Sequence, residues 1–203
     1  MTPIEPLSIK TERLILRPLT ESDAAAASRN SRQPAATRYM ADMVWDTEED
    51  ALEFIKWFNR EKFNVHTQHV IFGVFLKSNR RCIGFAGVGP KPELGDEIEL
   101  GYLIADEYKN KGYATEAGKA VIWWAFERAG LDVLSAITHP ENKASVRVLE
   151  KLGFVFGENR VFPDGAAFDY FRLYHTDMLP GPVWDTRNLY KPEGSGAILR
   201  ADK

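Results

Sequence analysis

Glu97 and Glu99 stand two positions apart in the stretch Glu97–Ala117 (EIELGYLIADEYKNKGYATEA), and Lys109, Lys111 and Gly112 follow soon after. A carboxylate within reach of an ammonium group can take its proton. Lysines flanking a glycine just ahead of a helix can hold an anion, because a helix N-terminus leaves N–H groups unpaired and carries the positive end of the helix dipole. The chemistry such a stretch could do is proton abstraction beside a bound, phosphate-bearing ligand.

The elements that would position these groups can be read from the periodicity. Ile98, Leu100, Tyr102 and Ile104 alternate with Glu97, Glu99, Gly101 and Leu103, which is the pattern of a strand. The turn Asp106–Gly112 then delivers the backbone into a helix starting near Tyr113. Ala114, Ala117, Val121, Trp124 and Arg128 recur along it at helical spacing, and Gly130 ends it. Its small residues permit close packing on a sheet.

Upstream, Thr11–Leu19 alternates as a strand stopped by Pro18, and Thr20 and Asp23 open an alanine-rich helix to about Asn30. Residues Ser31–Asp46 show no clear period and are expected to be a long loop, a candidate substrate-facing lid. Thr47–Asp50 starts a helix running to about Lys62. His69–Leu76 and Arg81–Gly89 form a hairpin. Downstream, Asp132–Thr138 is a strand, and Asn142 caps a short helix through Leu152 with Gly153 at its C-terminal end. Phe154–Phe162 and Ala166–Tyr174 make a last hairpin around Pro163-Asp164-Gly165. The expected fold is α+β (mixed α/β): a mostly antiparallel twisted sheet of about seven strands flanked by about four helices.

A chain of 203 residues suits one domain, here 1–176, followed by an irregular, Pro- and Gly-rich tail, 177–203. A net charge of −3 gives no nucleic-acid footprint. No apolar run approaches a membrane span and the N-terminus lacks the pattern of a signal peptide, so a cytoplasmic location is expected. The single cysteine, Cys82, excludes an intrachain disulfide and reads as a small buried hydrophobe. The four histidines lack metal spacing, so no metal is expected. Lys109–Thr115 has no Gly-Lys-Ser/Thr signature, which argues against a nucleotide phosphate loop, and Ser145, His139 and Asp132 lack a nucleophile-elbow context.

Four segments, in order, resemble the GNAT superfamily of acyl-CoA-dependent N-acyltransferases, and within it the branch typified by the Rim ribosomal-protein N-terminal acetyltransferases. They are Thr11–Pro18 (TERLILRP), Leu100–Ile104 (LGYLI), Lys109–Ala117 with its Gly112-x-Ala114-Thr115-Glu116-Ala117 core, and Asn142–Phe154 (NKASVRVLEKLGF). The resemblance spans roughly Thr11 to Tyr174.

It implies transfer of an acetyl group from acetyl-CoA directly to a primary amine: a protein N-terminus, an amino acid or a small molecule. It also implies that the backbone of Leu103 and Ile104 holds the pantetheine arm, and that Lys109, Lys111, Gly112, Tyr113, Ala114 and Thr115 seat the pyrophosphate, with Asn142 as a further cofactor contact. Lys109 stands where the family usually has Gln or Arg, and loses the guanidinium's fork. The tyrosine that many members use as general acid falls at Leu149, and the serine proposed in its place in Rim-like members falls at Ser145. Glu99 is the expected base; the alternative is that Glu97 and Glu99 face basic partners on a solvated surface. For the acceptor, Tyr39, Trp45, Phe162 and Asp164 are expected to flank the entrance. The expected partners are the amine acceptor, with no nucleic acid and no membrane, and a homodimer is left open. A non-catalytic acyl-CoA-binding or regulatory module is the competing reading.

Overall fold

Alternating and continuous apolar runs assemble into one eight-stranded sheet in a computed structural model, which describes residues 8–60, 65–66, 69–162 and 165–180. The strands are β1 (Ile9–Lys10), β2 (Leu14–Arg17), β3 (Val70–Leu76), β4 (Cys82–Pro90), β5 (Ile98–Ile104), β6 (Val133–Thr138), β7 (Val155–Val161) and β8 (Ala167–Tyr174). Their spatial order is β1-β2-β3-β4-β5-β6-β8-β7. Every neighbouring pair is antiparallel except β5 and β6, which run parallel.

Five α-helices are described: α1 (Ala24–Ser31), α2 (Pro34–Tyr39), α3 (Glu48–Arg60), α4 (Tyr113–Glu127) and α5 (Lys143–Leu152). The fold is the mixed α+β arrangement expected, with one more strand and one more helix. β1 has two residues, too few to show a period. α2 replaces part of the expected Ser31–Asp46 loop. Pro34 starts it, because its fixed φ and missing N–H suit a first helical turn, and a 3-10 turn, Ala41–Met43, follows. Six residues are too few for a recurring apolar face, so that helix left no periodic trace.

Two cores lie on opposite faces of the sheet. Leu14, Leu16, Phe72, Val74, Leu100, Ile104, Val121 and Trp124 belong to the core beneath α4 and α5. Ile15, Phe75, Phe85, Leu103, Ile55 and Phe58 belong to the core beneath α1 and α3. The alternation of β2 and β5 splits neighbouring residues between the two. Cys82 is buried, and burial pushes its thiol up to about 11, consistent with a packing role.

Met178 packs against the first core. Asp164 and residues 181–203 lie outside the described residues. No described helix is long and apolar enough to cross a membrane.

Candidate active site

The site is built around a change of partner along β5. On one side β5 pairs with β4 over its whole length, from Pro90 opposite Ile98 to Gly84 opposite Ile104. On the other it meets β6 at Glu99 opposite Ser135, and among the described residues no further pair follows. β6 pairs instead with β8, from Val133–Tyr174 to Thr138–Asp169. Beyond Glu99 the two parallel strands therefore leave a notch in the middle of the sheet.

A polar clasp closes the notch at its base. The Glu97 carboxylate accepts hydrogen bonds from the Ser135 hydroxyl, the Tyr170 hydroxyl and the Arg172 guanidinium, the last at 2.6 Å. The Arg160 guanidinium lies 3.5 Å from the centre of the Tyr170 ring. Burial would raise the Glu97 carboxyl, but the bonds from Arg172, Ser135 and Tyr170 outweigh it and hold the group below its ordinary value. Glu97 is thus committed to joining β5, β6 and β8. Glu99, two residues on, is half-buried and lies on the same face as Gly101 and Leu103.

Backbone direction settles which peptide groups face the notch. The Ala105 N–H donates to the Ile83 carbonyl at 2.8 Å, and Gly84 stands opposite Ile104. In an antiparallel ladder this makes Ile104 the residue whose N–H and C=O turn away from β4, and alternation does the same for Tyr102. The peptide groups of Leu103 turn toward β4 instead. A Cβ placed on Gly84 would stand 2.0 Å from the Leu103 carbonyl oxygen. The open backbone edge therefore belongs to Tyr102 and Ile104, and Leu103 contributes its buried side chain.

Past Ile104 the chain makes a 3-10 turn at Asp106–Tyr108 and enters α4 through Gly112, whose φ of +80° is the left-handed conformation glycine tolerates best. The first return bond of α4 runs from the Glu116 N–H to the Gly112 carbonyl at 3.0 Å, so the amides of Tyr113, Ala114 and Thr115 precede the ladder. Lys109 pairs with Asp106, and the Lys111 ammonium donates to the Glu107 carbonyl at 2.9 Å. Both lysines lie beside the loop with their ammonium groups held by neighbours in sequence.

On the other face of β5 stands α5. The Asn142 side chain caps it, accepting from the Ser145 N–H at 3.2 Å. The Ser145 hydroxyl is 3.0 Å from the Tyr102 hydroxyl, which also donates to the Ser145 carbonyl at 3.2 Å. Burial pushes the Tyr102 hydroxyl well above its ordinary value. Leu149, at the expected tyrosine position, is buried in the core. Sequence periodicity marks Tyr102 as a strand residue alone. Its contact with α5 joins residues 43 apart, and no local pattern records that separation.

The acceptor side is formed by elements brought from three places. The Tyr39 ring lies 5.8 Å from His139, His139 lies 6.3 Å from Phe168, and Phe168 lies 5.2 Å from Phe162. Arg38 bonds Glu141 at 2.6 Å. The end of Met40 lies 4.0 Å from where a Cβ on Gly101 would stand, so the segment after α2 reaches over the Glu99 face of β5. Tyr39 and Phe162 thus share one aromatic row. Trp45 does not join it. It is 8% exposed, packed between Phe54 and Phe85, with its backbone bonded to Ser28 and Ser31. It holds the segment down rather than lining an entrance. No group of three or more His, Cys, Asp or Glu arranged for a metal occurs among the described residues.

Three comparisons bear on this arrangement. A family described as the acetyltransferase (GNAT) domain matches residues 13–155. An uncharacterised Bacillus subtilis N-acetyltransferase, YoaA, is 30% identical over 149 residues, covering 72% of this chain and 81% of its own. A Bacillus anthracis acetyltransferase structure of the GNAT family is similar at 26% identity with a TM-score of 0.67, covering 82% of this chain and 98% of its own. The ribosomal-protein-S5-alanine acetyltransferase of Vibrio fischeri shares the fold at 22% identity and a TM-score of 0.66, covering 85% and 99%.

Proposed function

From the premise that this chain belongs to the acetyltransferase (GNAT) family, in its Rim-like branch, we propose that it moves an acetyl group from acetyl-CoA to a primary amine by direct transfer across the notch between β5 and β6. The observation that carries the reading is that β5 loses its partner just past Glu99 and leads straight into the glycine-hinged N-terminus of α4.

GNAT enzymes use acetyl-CoA, whose thioester supplies the electrophilic carbonyl when bound. The residues present fit such a ligand: unladdered amides at the start of α4 suit a pyrophosphate, and an open strand edge suits an extended amide-bearing arm. The amides of Gly112 to Thr115 hold the phosphates, with Lys109 and Lys111 adding nearby positive charge. The edge of Tyr102 and Ile104 pairs with the arm, and the Ile104 N–H is the donor placed to polarise the carbonyl. Asn142 orders the start of α5 and adds a contact there.

Proton handling divides between the faces of the sheet. Glu99 and Tyr102 differ by an odd number of strand positions, so they point to opposite sides of β5. Glu99 takes the proton from the acceptor's ammonium on one side. Ser145 holds the proton needed by the departing sulfur on the other, and Tyr102 stands behind it as the next donor. The aromatic row of Tyr39, His139, Phe168 and Phe162 receives the amine, and Asp164 is assigned to the same entrance as a cation partner from its place in the sequence. A ribosomal protein is the acceptor named for the Vibrio fischeri enzyme that shares this fold, which puts a protein acceptor among those to test.

The test is acetyl-CoA turnover against amino acids, small amines and peptides with free N-termini, beside thermal stabilisation by CoA. Turnover with at least one class is expected. Stabilisation by CoA with no turnover across the panel would favour a binding module, and no stabilisation would sink the reading.

A further inference from the structure

We propose that Thr11, Arg13 and Glu116 form a clamp that sets the shape of the anion loop, with Arg13 the positioning residue on which CoA affinity depends. This rests on the reading above that the loop seats the pyrophosphate. The contact joins the start of β2 to the first turn of α4, elements over a hundred residues apart. Glu116 uses both carboxylate oxygens. Oε1 accepts from the Thr11 hydroxyl at 2.5 Å and the Arg13 backbone N–H at 2.8 Å, and Oε2 accepts from Arg13 Nε at 2.7 Å. Thr11 is itself tied to Leu14, whose N–H donates to its hydroxyl at 2.9 Å.

With its Nε edge fixed, the guanidinium has one way to point, and it points at the loop. Arg13 Nη1 donates to the Lys111 carbonyl at 2.9 Å, its plane lies 4.6 Å from the centre of the Tyr113 ring, and Nη2 stands 3.3 Å from where a Cβ on Gly112 would be. One side chain thus touches three successive residues across the hinge. Among the described residues other than its chain neighbours, Arg13 alone comes within 4 Å of that position.

The pairing also resolves a conflict. An acid in the first turn of a helix is favoured by the dipole, but an unpaired carboxylate there would repel a phosphate at the same amides. Arg13 neutralises Glu116 and returns positive charge to the hinge. Burial would raise the Glu116 carboxyl, yet the bonds from Thr11 and Arg13 prevail and keep it below its ordinary value.

The experiment measures CoA affinity by calorimetry on the full chain for wild type, Arg13→Lys and Glu116→Gln, with melting curves in the absence of ligand. Lysine keeps the charge and the backbone N–H to Glu116 but loses the rigid fork whose Nε and Nη1 bond Glu116 and Lys111 at once. Both variants are expected to melt cooperatively and to bind CoA about tenfold more weakly, the worth of one charged hydrogen bond. With an acceptor from the panel, KM for acetyl-CoA should rise while kcat and the acceptor's KM hold. Arg13→Lys binding CoA within about twofold of wild type, below the effect of one such bond, would overturn the clamp. So would a fall in kcat at saturating acetyl-CoA, or an Arg13→Lys protein with no cooperative melt, which would make Arg13 a folding residue. Wild type that fails to bind CoA would instead overturn the loop reading, and the clamp's role with it.

Discussion

At the scale of single residues, the two acids read together from the sequence have separate fates. Glu97 is bound by three donors and closes the base of the notch, whereas Glu99 stands where the parallel strands part. Glu99→Gln is expected to lower kcat by about 10²–10⁴-fold, the range for general base catalysis, with the largest loss at low pH where the amine is protonated. CoA affinity should hold. A pH–rate profile superimposable on that of wild type would remove Glu99 from the mechanism. On the opposite face, Ser145→Ala should slow turnover more than Tyr102→Phe, because Ser145 is assigned the proton itself and Tyr102 the place behind it. The reverse order in single-turnover rates would transfer the donor role to Tyr102. Asn142, Gly153 and Gly112 were legible as helix ends, because capping is a local property of the backbone. The burial of Trp45 was not, because an aromatic residue between Val44 and Asp46 suits a core and an entrance equally.

At the scale of elements, the sheet depends on close passage of β4 past β5. A Cβ on Gly84 would meet the Leu103 carbonyl oxygen at 2.0 Å, and that atom is backbone, which cannot rotate aside. Gly84→Ala should therefore destabilise the protein by about 1–3 kcal/mol, the usual cost of overpacking, seen as a lower urea midpoint at unchanged slope. An unchanged midpoint would show that the strands separate freely there. The segment expected as a loop is tied to the β6–α5 connection by Arg38–Glu141 and by Tyr39 against His139. Tyr39→Ala should raise the acceptor's KM and leave that for acetyl-CoA unchanged. An equal rise in both would move the segment from the acceptor to the cofactor side.

At the scale of the molecule, three carboxylates are held below their ordinary values: Asp23 by the nearby Arg17, and Glu97 and Glu116 by Arg172 and Arg13 from distant parts of the chain. A carboxylate whose value is lower folded than unfolded contributes stability that is complete above the unfolded value and is lost as pH falls through the folded one. The melting temperature should thus be nearly level from neutral pH to about 5 and drop below about 4, the range of an unperturbed carboxylate. Glu97→Gln should make that drop shallower. A wild-type melting temperature as high at pH 3 as at pH 7 would contradict the pairing of all three acids.

The sequence by itself determined the strand and helix faces, the glycine-hinged turn before α4 and the cap of α5, because each follows from periodicity or backbone chemistry within a few residues. It also carried the family likeness, since the four segments lie in order along the chain. Tertiary structure alone decided that β5 parts from β6 just beyond Glu99, that Glu97 binds Arg172, that Tyr102 meets Ser145, and that Arg13 reaches the loop through Glu116. Those contacts join residues 36 to 103 positions apart. Which distant side chains meet is set by how the two cores pack on either face of the sheet, and local spacing holds no record of it.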